Sequence, residues 1–206
     1  MHNHFENYLN LKKWILERRP RTIVECGAGN GELTKHLSSL LDIYNFKLVI
    51  ISDKAVEDLD SRIIWNSGLS YEALKEFSNA SIDLCIIDTD HNYWTLMKEF
   101  EALFNRISEG GLIALHDVET FYHDTGMSLG YFNGIPYPKE EIEKYASYGS
   151  LGDAMIDFLQ IKKLNFKLLY YTPESHGAAL IEKRSQTHFS IVVPGSQPIY
   201  AAQMTA

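Results

Sequence analysis

With 206 residues, 45% of them apolar, the chain can bury one large core without disulfide or metal staples, and we expect a single domain over 1–183 followed by a polar tail at 184–206. The formal charge is −8, and the basic residues cluster only at Lys12-Lys13, Arg18-Arg19 and Arg21, which argues against nucleic acid as a bulk partner. Two cysteines without a C-x-x-C pair, no apolar run near the ~20 residues of a membrane span, and an N-terminus without signal-peptide regions lead us to expect a cytoplasmic protein with reduced thiols and no membrane contact.

Residues 5–19 carry apolar positions at near-helical spacing, and Pro20 ends that pattern. Thr22-Ile-Val-Glu-Cys26 then reads as a strand, Gly27, Gly29 and Gly31 as a turn, and 32–41 as a helix. Strand, glycine turn and helix together present backbone N–H groups and a helix N-terminus to a polar ligand. The spacing E-x-G-x-G-x-G differs from the G-x-G-x-x-G of dinucleotide folds, because Glu32 stands three after Gly29.

Lys47-Leu-Val-Ile-Ile-Ser52 is a near-continuous apolar run, as in a parallel strand buried on both faces, and it ends at Asp53. An acid about 20 residues beyond a glycine turn is the usual partner of ribose hydroxyls. The spacing predicts a short strand over 62–65, a loop from Asn66 to Ser70, a helix over 71–77, and a fourth strand over 81–88. A helix over 94–107, a turn at Glu109-Gly-Gly111 and a fifth strand over 112–115 follow.

The result is a Rossmann-like doubly wound α/β sheet of about seven strands, mostly parallel, with an antiparallel C-terminal strand from the pair at 167–171 and 178–182. Ligands sit at the carboxyl ends of the strands in such sheets. Glu25, Asp53, Asp88, His116 and Asp117 all fall at such ends. The Gly- and aromatic-rich stretch 118–150 breaks the rhythm and reads as a lid or substrate wall.

The glycine turn, Ile87-Asp-Thr-Asp-His-Asn-Tyr93 and His116-Asp117 together resemble the class I S-adenosylmethionine-dependent methyltransferases. They are similar to the branch with I-D-x-D-H-x-Y and H-D motifs, which is related to metal-dependent small-molecule O-methyltransferases and cephalosporin-hydroxylase-like proteins. Thr89 departs from the glycine usual in that branch. The resemblance implies that Glu25, Gly27, Gly29, Asp53 and Asp88 hold S-adenosyl-L-methionine, with Ser67 and Gly68 near its adenine. It implies that Asp88, His116 and Asp117 form a metal site for Mg2+ or Mn2+. An all-oxygen set suits Mg2+, and the imidazole moves the preference toward Mn2+, Fe2+ or Zn2+.

His91, His116 and Asp117 are the candidate catalytic residues, as general base or as holders of a cation that acidifies the acceptor. The expected reaction is methyl transfer to oxygen of a small molecule. A nicotinamide-dependent oxidoreductase and a non-catalytic cofactor-binding protein are the alternatives; the missing dinucleotide spacing opposes the first, and the clustered acids oppose the second. The acceptor and the oligomeric state, including a homo-oligomer, stay open.

Overall fold

The structure is a computed structural model that describes residues 5–53, 56–89, 93–118, 131–132, 135–136, 151–173 and 176–185. Helix α1 is Phe5–Arg18, strand β1 Thr22–Cys26, helix α2 Glu32–Leu40, strand β2 Lys47–Ile51 and strand β3 Ile64–Asn66. Helix α3, Ser70–Ala73, runs into a 3₁₀ turn at Leu74–Glu76, and strand β4 is Ile82–Ile87. Helix α4 is Tyr93–Leu103 and strand β5 Ile107–His116. The short strands β6, Tyr131–Phe132, and β7, Ile135–Pro136, pair antiparallel. Helix α5 is Leu151–Ile161, strand β8 Phe166–Thr172 and strand β9 Ala178–Lys183.

Seven strands form one sheet in the order β3-β2-β1-β4-β5-β9-β8. The first five run parallel, and β9 lies antiparallel to both β5 and β8, as the sequence predicts. The order reverses between β1 and β4, so their carboxyl ends open the crevice where open α/β sheets take their ligands.

Alternation along the central strands fills two cores. Val24, Cys26, Cys85, Ile87, Ile113 and Leu115 face α4 and α5, where Phe100 stacks on Phe158 with centroids 4.1 Å apart. Ile23, Ile50, Leu84, Ile86 and Ala114 face the other way, against Leu11 and Ile15 of α1 and Leu37 and Leu40 of α2. Both cysteines are buried free thiols, their Sγ atoms 4.0 Å apart.

Three boundaries differ from the sequence reading. Helix α4 stops at Leu103, and the expected turn at Glu109-Gly-Gly111 lies inside β5. The pairing of β4 with β5 jumps from Ile82↔Ile107 to Leu84↔Leu112, so these residues form a bulge. Gly110 takes φ 72°, and Ser108 Oγ donates to Asp83 Oδ1 at 2.8 Å, which closes the bulge without ending the strand. The third strand begins at Ile64 because Arg62 turns aside to bond Asp60 and Asp42. The 186–206 part of the tail and most of the 118–150 stretch lie outside the described residues.

Glu182 of β9 joins α1 to the sheet edge. It accepts Arg18 of α1 at 2.7 Å and Lys167 of β8 at 2.6 Å. Burial pushes its carboxyl up, but Lys167 and Arg18 outweigh that and hold it below its ordinary value. A depressed carboxyl stabilises the fold above its ordinary pKa of 4.5 and loses that contribution as the pH falls through its folded value. Glu182→Gln is therefore expected to lower stability at pH 7 by about 1–2 kcal/mol, the two cations being half-exposed. The deficit should shrink in chemical melts taken at decreasing pH below 4.5.

Candidate functional site

The glycine turn is built by contact as well as by backbone angle. Gly27 has φ 86°, its N–H donates to Ile51 O at 2.8 Å, and Asp88 N–H donates to Cys26 O at 2.9 Å. A Cβ on Gly27 would lie 1.9 Å from the Asp88 carbonyl oxygen. The turn is thus pressed onto the end of β4, and no other residue type fits there. Gly31 also has a positive φ, and a Cβ there would meet Val56 Cγ1 at 2.3 Å. Around Gly29 the space is open, so the cradle has room for a ligand beside that position.

Glu25, next to last in β1, faces the α2 side and is 1% exposed. Thr34 Oγ1 of α2 donates to its Oε2 at 2.9 Å, while Oε1 has no partner among the described residues. Burial raises the Glu25 carboxyl to about 8; Thr34 lowers it, and the nearby Asp88 charge adds to the rise. A buried carboxylate oxygen without a partner fits a positively charged donor, such as the ammonium group of a methionine moiety.

At the ends of β4 and β5, Asp88, His116 and Asp117 come together. His116 is 4% exposed, and its Nδ1 stands 3.0 Å from Asp117 Oδ1 and 3.5 Å from Asp88 Oδ1. Burial pulls the imidazole down, but the Asp117 and Asp88 carboxylates outweigh it and hold it at about 10. At neutral pH His116 is therefore an imidazolium between two acids. Asp117 sits at φ 57°, a left-handed conformation that costs a non-glycine residue about 1–2 kcal/mol and turns its side chain back beside His116. The ligand atoms of the three residues lie within 4.8 Å of one another and could hold a metal ion. Two carboxylates and one imidazole suit a divalent cation.

Asp53 is half-buried directly after β2, at the ligand end of the sheet. Ser67 is exposed and Gly68 half-buried in the loop after β3, and the Asn66 carbonyl of that strand accepts Ser52 N–H at 3.2 Å. Asp90 and His91 lie outside the described residues. Sequence reasoning missed Thr34, which fixes Glu25 from nine positions away, and Val56, which covers Gly31. Neither carries a motif. It also gave no role to Tyr93, although that tyrosine belongs to the Asp88–Tyr93 signature and its hydroxyl donates to Asp157 Oδ2 at 2.6 Å.

Residues 24–118 match the profile of a family described as "Methyltransferase domain". Over this segment the chain is similar to that family. The resemblance drawn from the motifs, and with it the class of S-adenosylmethionine-dependent methyltransferases, is borne out. No curated protein matches the chain.

Among solved structures, the SAH-bound methyltransferase PaMTH1 of Podospora anserina is similar at 16% identity and a TM-score of 0.60, over 90% of this chain and 80% of that one. An O-methyltransferase of Bacillus cereus in complex with SAH shares 16% identity at a TM-score of 0.59, over 87% and 81%. The MycE methyltransferase of the mycinamycin biosynthetic pathway, in complex with Mg, SAH and mycinamycin VI, shares 18% at 0.60, over 89% of this chain and 50% of that one. At these identities the likeness is one of fold. Among the described residues no helix of the domain is long and apolar enough to cross a membrane.

Two outcomes are expected from the cradle. Gly27→Ala should cost several kcal/mol in a denaturant melt, because its Cβ would meet backbone, whereas Gly29→Ala should cost only about 1 kcal/mol of backbone strain. Glu25→Gln should change the pH profile of stability. A carboxyl raised on folding stabilises the fold below its ordinary 4.5 and loses that contribution as pH rises toward about 8. Melts of the wild type should therefore weaken across that window, and those of Glu25→Gln should be flatter.

Proposed function

We propose that the domain transfers the methyl group of S-adenosyl-L-methionine to an oxygen of a small molecule, assisted by a divalent cation at Asp88, His116 and Asp117. One observation carries this reading. The three-residue cluster adjoins the glycine cradle through a shared backbone contact, Gly27 against the Asp88 carbonyl. A donor in the cradle and an acceptor at the cluster would therefore be neighbours.

The donor supplies a methyl group on a sulfonium, and the cation supplies positive charge that acidifies a hydroxyl. Glu25 Oε1 would accept from the ammonium of the bound donor, and the open space at Gly29 would admit its close approach. Asp53 accepts from ribose hydroxyls, with Ser67 and Gly68 along the adenine side. Asp88 and Asp117 hold His116 between them and, in the loaded enzyme, orient the acceptor oxygen with it. His91, three residues after Asp88 and two before Tyr93, is suited by its chemistry to take the acceptor proton.

Similarity in fold to SAH-bound methyltransferases supports the donor, and the MycE complex with Mg and a mycinamycin supports a cation and a small-molecule acceptor. The charge of −8 agrees with a partner other than nucleic acid.

Calorimetry with SAH and with Mn2+ tests the two halves separately. Asp53→Ala should weaken SAH about tenfold while leaving Mn2+ binding unchanged. Asp117→Ala should abolish Mn2+ binding with SAH affinity kept within about twofold, the ordinary cost of losing a ligand against a distant group. Absence of saturable SAH binding would end the donor assignment, and loss of SAH binding in Asp117→Ala would end the separation of roles.

A further inference from the structure

Helix α5 reaches both strand-end loops that carry the acid–histidine cluster. Its Asp157 accepts the Tyr93 hydroxyl at 2.6 Å, and its Gly152 N–H donates to the Val118 carbonyl at 2.8 Å. Tyr93 is the first residue of α4, five positions after Asp88, and Val118 directly follows Asp117. The helix itself is fixed to the sheet through Phe158, which stacks on Phe100 of α4 and packs against Phe166 of β8. Tyr93 is 6% exposed and Val118 fully buried, while Asp157 and Gly152 are half-buried, so both bonds are partly shielded from water. A phenol donating to a carboxylate is among the stronger neutral-to-charged hydrogen bonds.

From this arrangement we infer that Asp157 is a positioning residue. Through Tyr93 it fixes the downstream end of the loop after β4, while Gly152 of the same helix fixes the residue after Asp117. The upstream end of the first loop is already fixed by the Asp88 N–H bond to Cys26 O. The spacing between Asp88 on one loop and Asp117 on the other is then set by one rigid helix. The effect of Asp157 on the cluster passes through Tyr93. The consequence for cation affinity rests on the reading of the cluster given above, whereas the mechanical consequence does not.

The experiment compares wild type, Tyr93→Phe, Asp157→Asn and the double variant as full-length protein. Amide hydrogen exchange is followed by mass spectrometry, and Mn2+ affinity by the electron paramagnetic resonance signal of the free ion. Each single variant is expected to speed exchange several-fold in peptides covering 86–96, with peptides from β1 and β2 unchanged. Mn2+ affinity is expected to fall about fivefold, less than the 10–100-fold usual for a group that bonds a metal ligand directly. The double variant should be no worse than either single one, since both remove the same bond. Uniformly faster exchange with unchanged Mn2+ affinity would mean a stability role only and would overturn the proposal, as would additive losses in the double variant. If wild type binds no Mn2+, the cation reading fails, and the exchange pattern alone still decides whether Asp157 positions the loop.

Discussion

The glycine turn after β1 is pressed against the carbonyl of Asp88, the residue after β4, so closely that no side chain fits between them. Everything at the ligand end follows from it. With no side chain on Gly27, the two strand ends meet backbone to backbone, and the bonds from Gly27 to Ile51 and from Asp88 to Cys26 align three neighbouring strands at one level. The residues that leave β1 and β4 therefore emerge side by side at the order reversal. Any larger residue at position 27 would drive the strands apart and dissolve that alignment.

The electrostatics of this end are unusual for an acidic protein. Glu25 is buried and tends to keep its proton, whereas His116 is buried and keeps its proton for the opposite reason, being flanked by two carboxylates. Burial disfavours both charges, and the sign of the result depends on neighbours. Strongly perturbed groups gathered in one crevice are the physical mark of a site prepared for charged ligands. The ion pairs of Glu182, at the far sheet edge, have another purpose: they hold α1 in place.

Much of this was legible in the sequence because parallel strands buried on both faces leave long apolar runs, as at Leu48–Ile51 and Leu84–Ile87. The acids closing those runs marked the ligand end, and Asp88, His116 and Asp117 do converge. The bulge in β5 was misread because two glycines after a glutamate look like a turn. Asp83, which accepts the Ser108 hydroxyl across the sheet, lies 25 residues earlier in the sequence. Thr34 and Asp157 were invisible for a similar reason: a hydroxyl or carboxylate on a helix reads as a solvated residue until the fold brings its partner to it. The Tyr93–Asp157 bond spans 64 positions.

The reversal of β9 has a further consequence. Because β9 runs against β5, its first residue, Ala178, pairs with His116, and the connection from Thr172 to Ala178 crosses the same end of the sheet as the cluster. That connection belongs to a strand pair that follows the five parallel strands in the sequence. Its length and side chains can drift through evolution without touching Gly27, Glu25 or Asp53. The glycine turn and the loop between β8 and β9 are in this way free to vary independently of each other.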